Sequence, residues 1–418
     1  MPLTALRGKS LLIFDDGLIS KDGHWFGIDQ AIVALHKEAG AATTVLCGSS
    51  FGFSEELAAA GATVMPCIHR SIWTGEMGNG SSLWREFRDA FSLARHFRDV
   101  LTSALRERTY DCVLHPSAML PDLFAWAMVP RKLRRRVGRV ALLTRFGLGE
   151  YSPTERPSFA RKLTVWRWLI RWLRGEFASG RFILMTDSER LAEEYWEVAG
   201  ARPAVVCSPK AMTAREAPST ATSSLTFGTV GAARIDKGIH LLQSAIEHLV
   251  SGGRLGQLCF TMQWNRSVRN DDGSLYPRSE LLMAHPQVHF IENALSSDEY
   301  DKLFFGIDCM VLPYRRQMYH SPISGVAVEA ACAGIPMIYT ADTWLSDFVA
   351  EQGAGIAVAD GDVEGLERAI LAMAADYPTY KAQAVERSAI ARQRNSPAEF
   401  ARVLWGAGPN QRVGGPVA

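Results

Sequence analysis

The stretch from Asp308 to Thr340, DCMVLPYRRQMYHSPISGVAVEAACAGIPMIYT, gathers the residue types best suited to chemistry. Three bases, Arg315, Arg316 and His320, lie in a polar loop running from Tyr314 to Ser324. Before the loop comes a short apolar run, Cys309 to Leu312, closed by Pro313, which reads as a buried strand. After it, Gly325 opens an apolar helical segment, Val326 to Cys332, and Gly334 separates this from a second strand at Pro336–Thr340. Strand, loop, helix and strand form one βαβ unit, whose loop delivers free backbone N–H groups at a helix N-terminus. Such a terminus attracts phosphate, because orphan amides and the helix dipole both favour negative charge. Glu329 is the lone acid of that helix, and a carboxylate among apolar neighbours needs a partner. The bland alternative is a surface salt bridge.

The elements that would hold this unit repeat along the chain. In the first half, strands read at residues 10–16, Thr43–Cys47, Thr63–Pro66, Asp111–His115 and Arg181–Thr186. Helices read at Ile28–Ala39, Leu57–Ala60 and Ser82–Arg106, the last with Phe87, Phe91, Ala94, Val100, Leu101 and Leu105 facing inward. Residues 208–224, SPKAMTAREAPSTATSS, are small and polar and mark a linker. The rhythm restarts at Leu225–Val230, the loop GAARIDKG and a helix at Ile239–Val250. Strands follow at Leu258–Met262 and Val288–Ile291, then a helix at Asp298–Phe305. After Thr340 come a strand at Gly355–Ala359, a helix at Val363–Ala374 and a helical stretch from Tyr380 to Trp405. Such alternation indicates two α/β domains with parallel sheets, each presenting ligands at the carboxyl ends of its strands. The expected division is 1–207, a linker at 208–224, 225–379, a segment 380–405 packing back toward the first domain, and a flexible tail, 406–418.

Composition narrows the partners. A chain of 418 residues exceeds one typical core, and 47% hydrophobic with 21% charged residues is ordinary for a globular protein. A net charge of +1 excludes a nucleic-acid binder that works by bulk electrostatics. Between Arg131 and Arg174, however, thirteen Arg or Lys face two Glu. Within that island, LTVWRWLIRWLRG places Arg167, Arg171 and Arg174 on one helical stripe beside tryptophans. That pattern suits an anionic membrane surface or anionic acceptor, or else an ordinary domain helix with solvated arginines. Seven scattered cysteines without a Cys-x-x-Cys pair predict neither a disulfide framework nor a zinc site. The N-terminal apolar run Leu11–Phe14 is too short for a signal or a span, so a cytoplasmic, soluble or peripheral protein is expected.

In the first half, Gly17, Gly23, His24, Gly27 and His115 fall in loops after strands. The glycine spacing is not a dinucleotide fingerprint. His24 reads as a general base or acceptor contact, or equally as a helix-start histidine bonded to backbone. His115, beside Pro116, reads as structural.

Four pieces of the second half, in order, resemble the GT-B glycosyltransferases, specifically the large retaining family four. They are GAARIDKGIHLLQSAI, GIDCMVLPY, SPISGVAVEAACAGIPMIYT and GAGIAVADGDVEGLERAI, spanning Leu225 to Ala374. The resemblance implies two Rossmann-like domains facing across a cleft. It implies a cytoplasmic hexosyltransferase that takes a nucleotide-diphosphate sugar as donor, with no cofactor or metal. The acceptor would be a glycan or lipid-linked sugar, in cell-surface or exopolysaccharide synthesis. It assigns Arg234 and Lys237 to the diphosphate, Glu329 to the ribose hydroxyls, and Gly231, Ser321, Ser324 and Gly325 to the sugar and phosphate edge. His24, Gly17 and Gly23 would face the acceptor. Arg234 and Lys237 as a solvated pair capping a loop is the bland alternative. Two positions depart from the family pattern. Ser321 stands where the first of two glutamates belongs, and Arg234 precedes Lys237 by three residues rather than five. The departures admit two other readings, a non-catalytic homologue serving as a binding or scaffold subunit, and a sugar-nucleotide epimerase.

Overall fold

The structure is a computed structural model that describes residues 3–20, 25–74, 83–151, 158–159, 163–209, 224–270, 272–293 and 295–406. Two compact units emerge. The first comprises Met1–Glu150, Ser158–Ala211 and Asn395–Ala418; the second comprises Tyr151–Pro157 and Met212–Arg394.

In the first unit, seven strands form one parallel sheet. They are β1 (Ser10–Asp15), β2 (Ala42–Gly48), β3 (Ala62–Ile68), β4 (Tyr110–His115), β5 (Val137–Thr144), β6 (Phe182–Thr186) and β7 (Ala204–Val205). Their order is β3-β2-β1-β4-β5-β6-β7, so the connection direction reverses between β1 and β4. Side chains on β1 alternate between two cores, as a pleated strand requires. Leu12 and Phe14 join a core with Phe97, Trp126, Leu169 and Tyr195. Leu11 and Ile13 join another with Ile28, Ile32, Leu57, Phe400 and Leu404. A parallel sheet covered on both faces explains why its strands read as apolar runs rather than alternations.

The second unit repeats the plan with six parallel strands. These are β8 (Leu225–Thr229), β9 (Leu258–Gln263), β10 (Val288–Ile291), β11 (Cys309–Leu312), β12 (Met337–Thr340) and β13 (Gly355–Val358). Their order is β10-β9-β8-β11-β12-β13, again reversing beside the first strand. Both reversals create a crevice at the carboxyl ends of the strands, where such sheets take ligands.

Several expectations change. Strand β5 was not anticipated, because the arginines of residues 131–139 hide its start; yet Val140, Leu142 and Leu143 are fully buried. Helix Leu83–Glu107 does not turn Phe87 and Phe91 inward, since both are exposed and pack edge-on against Phe124. Ala94, Leu101 and Leu105 do face the core as expected, joined there by Leu93 and Phe97. The single helical stretch expected from Tyr380 to Trp405 is two helices, Tyr377–Arg394 and Pro397–Gly406. Pro397 cannot donate within a continuing helix but fits a first turn, where Ser396 Oγ accepts the Glu399 N–H at 3.1 Å. Tyr377–Arg394 belongs to the second unit and Pro397–Gly406 to the first, and Tyr151–Pro157 clusters with the second unit rather than the first. Most of the expected linker (210–223) and the tail beyond Gly406 lie outside the described residues. No described helix is long and apolar enough to cross a membrane. The cysteines among the described residues are unbridged.

Candidate functional site

The crevice of the second unit is built by the loops after β8, β9 and β11. Strand β8 runs out at Gly231, whose φ of +92° is open to glycine at little cost. Its N–H donates to Gln263 Oε1 at 2.6 Å, and a Cβ there would stand 2.9 Å from Lys237 Nζ. Glycine therefore leaves room for the ammonium. A turn over Ile235–Lys237 then ends at Gly238, φ +67°, where a Cβ would overlap the Pro313 carbonyl oxygen at 1.9 Å. Only a residue without a side chain lets helix Ile239–Ser251 begin this close to the exit of β11.

Arg234 is held in a fork by Asp236, at 2.9 and 2.7 Å, and donates a further bond to the Tyr319 hydroxyl at 2.9 Å. Tyr319 stacks beside Tyr314 at 4.4 Å between centroids, and Lys237 Nζ lies 6.0 Å over the Tyr314 ring. Burial, reinforced by the Arg234 guanidinium, pulls the Lys237 ammonium down to about 8; Asp236 and Glu329 act in the opposite sense. Glu329, on helix Gly325–Cys332, accepts the Tyr300 hydroxyl at 2.6 Å. Burial and then this carboxylate push the Tyr300 phenol well above its usual range, so it remains a donor. Arg234 and Lys237 thus sit beside Tyr319 and Tyr314, and Glu329 is near enough to Lys237 to act on its charge.

Ser324 caps the helix, accepting the Ala327 N–H at 3.2 Å and donating to the Tyr314 hydroxyl at 3.4 Å. Gly325 is the first residue of that helix. Ser321 is fully buried, and Tyr151 donates its hydroxyl to the Ser321 Oγ at 3.4 Å while its ring packs at 4.6 Å on His320. A cavity of about 430 Å³ opens beside Arg234, lined by Asp236, Arg266, Arg269, Arg315 and Met318 among others. Arg315 is fixed there by Asp360, with Nε 2.9 Å from the carboxylate. Four guanidinium groups line this cavity, two of them paired with Asp236 and Asp360, which leaves an excess of positive charge toward an anion.

Tyr300, Tyr314, Tyr319, Gln263, Arg266 and Arg269 were not singled out from the sequence. Arg266 and Arg269 had a usable signal, being two bases three apart just beyond the end of β9. Tyr300 had none, since only packing brings the helix Ser297–Phe305 against Glu329.

In the first unit, Gly17 follows β1 and donates its N–H to Asp15 Oδ1 at 2.8 Å. A Cβ there would crowd Trp25 and Trp73, both at 2.9 Å. Gly23 and His24 lie outside the described residues. His115 is structural. Trp126 Nε1 donates to its Nε2 at 2.9 Å, which places the ring proton on Nδ1, facing Asp122 at 2.8 Å. The sequence did not reveal that the carboxyl edge of this sheet buries four acids. Burial raises Asp15 to about 6 and Asp187 to about 6, with Arg145 opposing in each case. Asp16 and Asp29 are raised well above the usual range, also by burial first, and the nearby charge of Asp15 adds to the rise at both. Arg145 lies 3.9 Å from Asp187 and donates through Nε to the Pro116 carbonyl at 2.9 Å. Among the described residues no group of three or more His, Cys, Asp or Glu could hold a metal ion.

Residues 224–376 match the family model described as Glycosyl transferases group 1. No curated protein sequence matches the chain. Solved structures similar in fold cover nearly all of it. Anabaena HepE, solved in complex with UDP and glucose, has a TM-score of 0.62 at 16% identity, covering 96% of this chain and 99% of that one. Sucrose-phosphate synthase from Thermosynechococcus elongatus has a TM-score of 0.61 at 14% identity, covering 96% and 100%. A glycosyltransferase from Rickettsia africae has a TM-score of 0.64 at 11% identity, covering 96% and 97%. Two parallel α/β sheets in this arrangement are the GT-B fold, and the second half of the chain carries a glycosyl transferases group 1 domain.

Proposed function

We propose that the protein is a glycosyltransferase that moves a hexosyl group from a nucleotide-diphosphate sugar to an acceptor hydroxyl with retention of configuration. The bond from the anomeric carbon to the diphosphate breaks, and one from that carbon to the acceptor oxygen forms. The hydroxyl proton passes to the departing diphosphate. The charge that develops on the leaving group is met by Lys237, Arg234 and the N-terminal amides of helix Gly325–Cys332. Glu329, aligned by Tyr300, takes the ribose hydroxyls, and Ser321 with Ser324 borders the sugar and its phosphate. The expectation of transfer without a metal rests on these two fixed cations. Acceptor binding is proposed for the segment after β1 that holds Gly17, Gly23 and His24; Gly27, expected in that loop, lies in helix Trp25–Glu38.

The observation that carries this reading is that Arg234 and Glu329, one from the loop after β8 and one from a helix far along the sequence, both act on the Lys237 charge. HepE, a structure of like fold, has been solved with UDP-glucose, which makes a uridine donor the first to test. A thermal-shift panel of UDP, GDP and ADP sugars should single out one donor by the size of its stabilisation. Product analysis then gives the anomeric configuration, and inversion would sink the retaining assignment. The buried, uncharged Ser321 favours one second reading, a binding subunit without turnover. Donor binding with neither transfer nor hydrolysis would select it.

A further inference from the structure

Helix Thr164–Trp172 presents more apolar surface than the core of the first unit uses. Trp166, Leu169, Ile170 and the following Leu173 are buried and anchor it. Trp168 and Trp172 are 49% and 57% exposed, one turn apart, with rings in an edge-to-face pair at 4.7 Å. The two indoles form a single ridge that the fold itself does not need. Large exposed aromatics in adjacent turns signal a surface that meets something other than water.

Bases outnumber acids along the ridge's own segment, although helix Glu189–Ala199, packed beside it, carries the exposed Glu197 and a Glu189 and Glu193 that pair with Arg202. No acid occurs between Glu155 and Glu176, and Glu176 is enclosed by Arg134 at 3.4 Å and Arg181 at 2.8 Å. Arg171 and Arg174 are exposed, and so are Arg131, Lys132 and Arg135 on the short helix that Arg134 ties to Glu176. Arg167 is otherwise engaged, since its guanidinium donates to the carbonyls of Glu197 and Val198. Helix Leu120–Met128 packs against Thr164–Trp172 and carries Phe124, on which the exposed Phe87 and Phe91 rest.

We infer that this face docks on an anionic lipid surface, with Trp168 and Trp172 among the headgroups and Arg171 and Arg174 against lipid phosphates. Indoles favour that depth because their bodies are apolar and their N–H edges remain hydrogen-bonded. A cluster of bases supplies the attraction to negative lipid and makes it salt-sensitive. With the whole chain at a net charge of +1, that attraction is local to this face. The inference goes beyond the proposed transfer reaction and does not depend on it.

The test is flotation of the full chain with vesicles of phosphatidylcholine alone, or of phosphatidylcholine mixed with phosphatidylglycerol. The protein should float with the mixed vesicles only, be released by added salt, and shift its indole emission to the blue. The double substitution Trp168→Ala with Trp172→Ala should weaken binding by about tenfold or more, as should Arg171→Glu with Arg174→Glu. Both replace exposed side chains, so thermal unfolding and the response to donor nucleotide should be unchanged. Trp168→Phe with Trp172→Phe should retain part of the binding. Failure to float with anionic vesicles, or equal binding by the alanine variant, overturns the inference. A later elution volume for the alanine variant in gel filtration would also overturn it, by showing that a second copy of the chain covers the ridge.

Discussion

The Tyr300 hydroxyl donates to Glu329 at 2.6 Å, joining helix Ser297–Phe305 to the acid of helix Gly325–Cys332. This bond orients Glu329, the carboxylate proposed above to accept the ribose hydroxyls. The ordering of Glu329 is therefore complete before a ligand arrives, and such preorganisation reduces what binding must spend on entropy.

Tyr300→Phe should remove the hydroxyl that orients Glu329, and Glu329→Gln should weaken acceptance from the ribose. We expect a loss of donor affinity of about 1–3 kcal/mol for Glu329→Gln and a smaller one for Tyr300→Phe. Calorimetric titration with the stabilising nucleotide measures both. Equal affinity in Glu329→Gln and the parent would remove Glu329 from the site.

Lys237, lowered to about 8, is charged at neutral pH and loses its proton as pH rises through that value. Affinity for a nucleoside diphosphate should accordingly be level below about pH 8 and fall above it, by up to about tenfold per pH unit. Lys237→Arg should flatten the profile, whereas Lys237→Ala should lower kcat/KM by a few kcal/mol equivalent, roughly two orders of magnitude. Affinity that is flat from pH 7 to beyond pH 9 in the parent would contradict the assignment.

The buried acids of the first unit make stability, too, fall as pH rises. Asp15 and Asp187 have folded values near 6 against an ordinary 3.8, so each binds its proton more tightly when folded. Their favourable contribution is complete below about pH 4 and is lost as pH rises through 6, about 3 kcal/mol each. Unfolding midpoints of the first unit should therefore decline between pH 4 and pH 7. Asp187→Asn should reduce that decline and raise the midpoint at pH 8. A midpoint that climbs steadily over the same range would show that these carboxyls are better solvated than the structure has them.

Gly238→Ala combines a left-handed backbone with a Cβ that would overlap the Pro313 oxygen. It should destabilise the second unit by more than about 2 kcal/mol and lower donor affinity, because the Arg234–Lys237 loop must shift. Gly361→Ala is the control. Its φ is similar, +78°, but open space surrounds it, so the cost should be about 1 kcal/mol. Chemical denaturation separates the two.

Much of the fold was legible because parallel strands buried on both faces appear as short apolar runs, and β8, β10 and β11 stand within a residue of where the pattern put them. Strand β5 was obscured where arginines occupy its lead-in, since charge patterning there outweighed the run Val140–Leu143. Phe87 and Phe91 misled because helical periodicity records which residues share a face, not which face the core takes. At the crevice, Glu329 stood out as the lone acid of an apolar helix, whereas Arg234 and Lys237 came only with the family resemblance of the loop GAARIDKG. Their tyrosine partners could not be read, because Tyr300, Tyr314 and Tyr319 come from separate elements that only tertiary packing brings together.

Helix Pro397–Gly406 closes the first unit from the far end of the chain. Phe400 and Leu404 complete its second core, and Trp405 Nε1 donates to the buried His36 Nε2 at 2.9 Å. A ribosome therefore makes the second unit, through Arg394, before the residues that finish the first unit emerge. Gene fragments cut at the mid-chain boundary would yield an N-terminal piece with Leu6, Ile32 and Leu57 uncovered, prone to aggregate unless the last ten helical residues are supplied in trans.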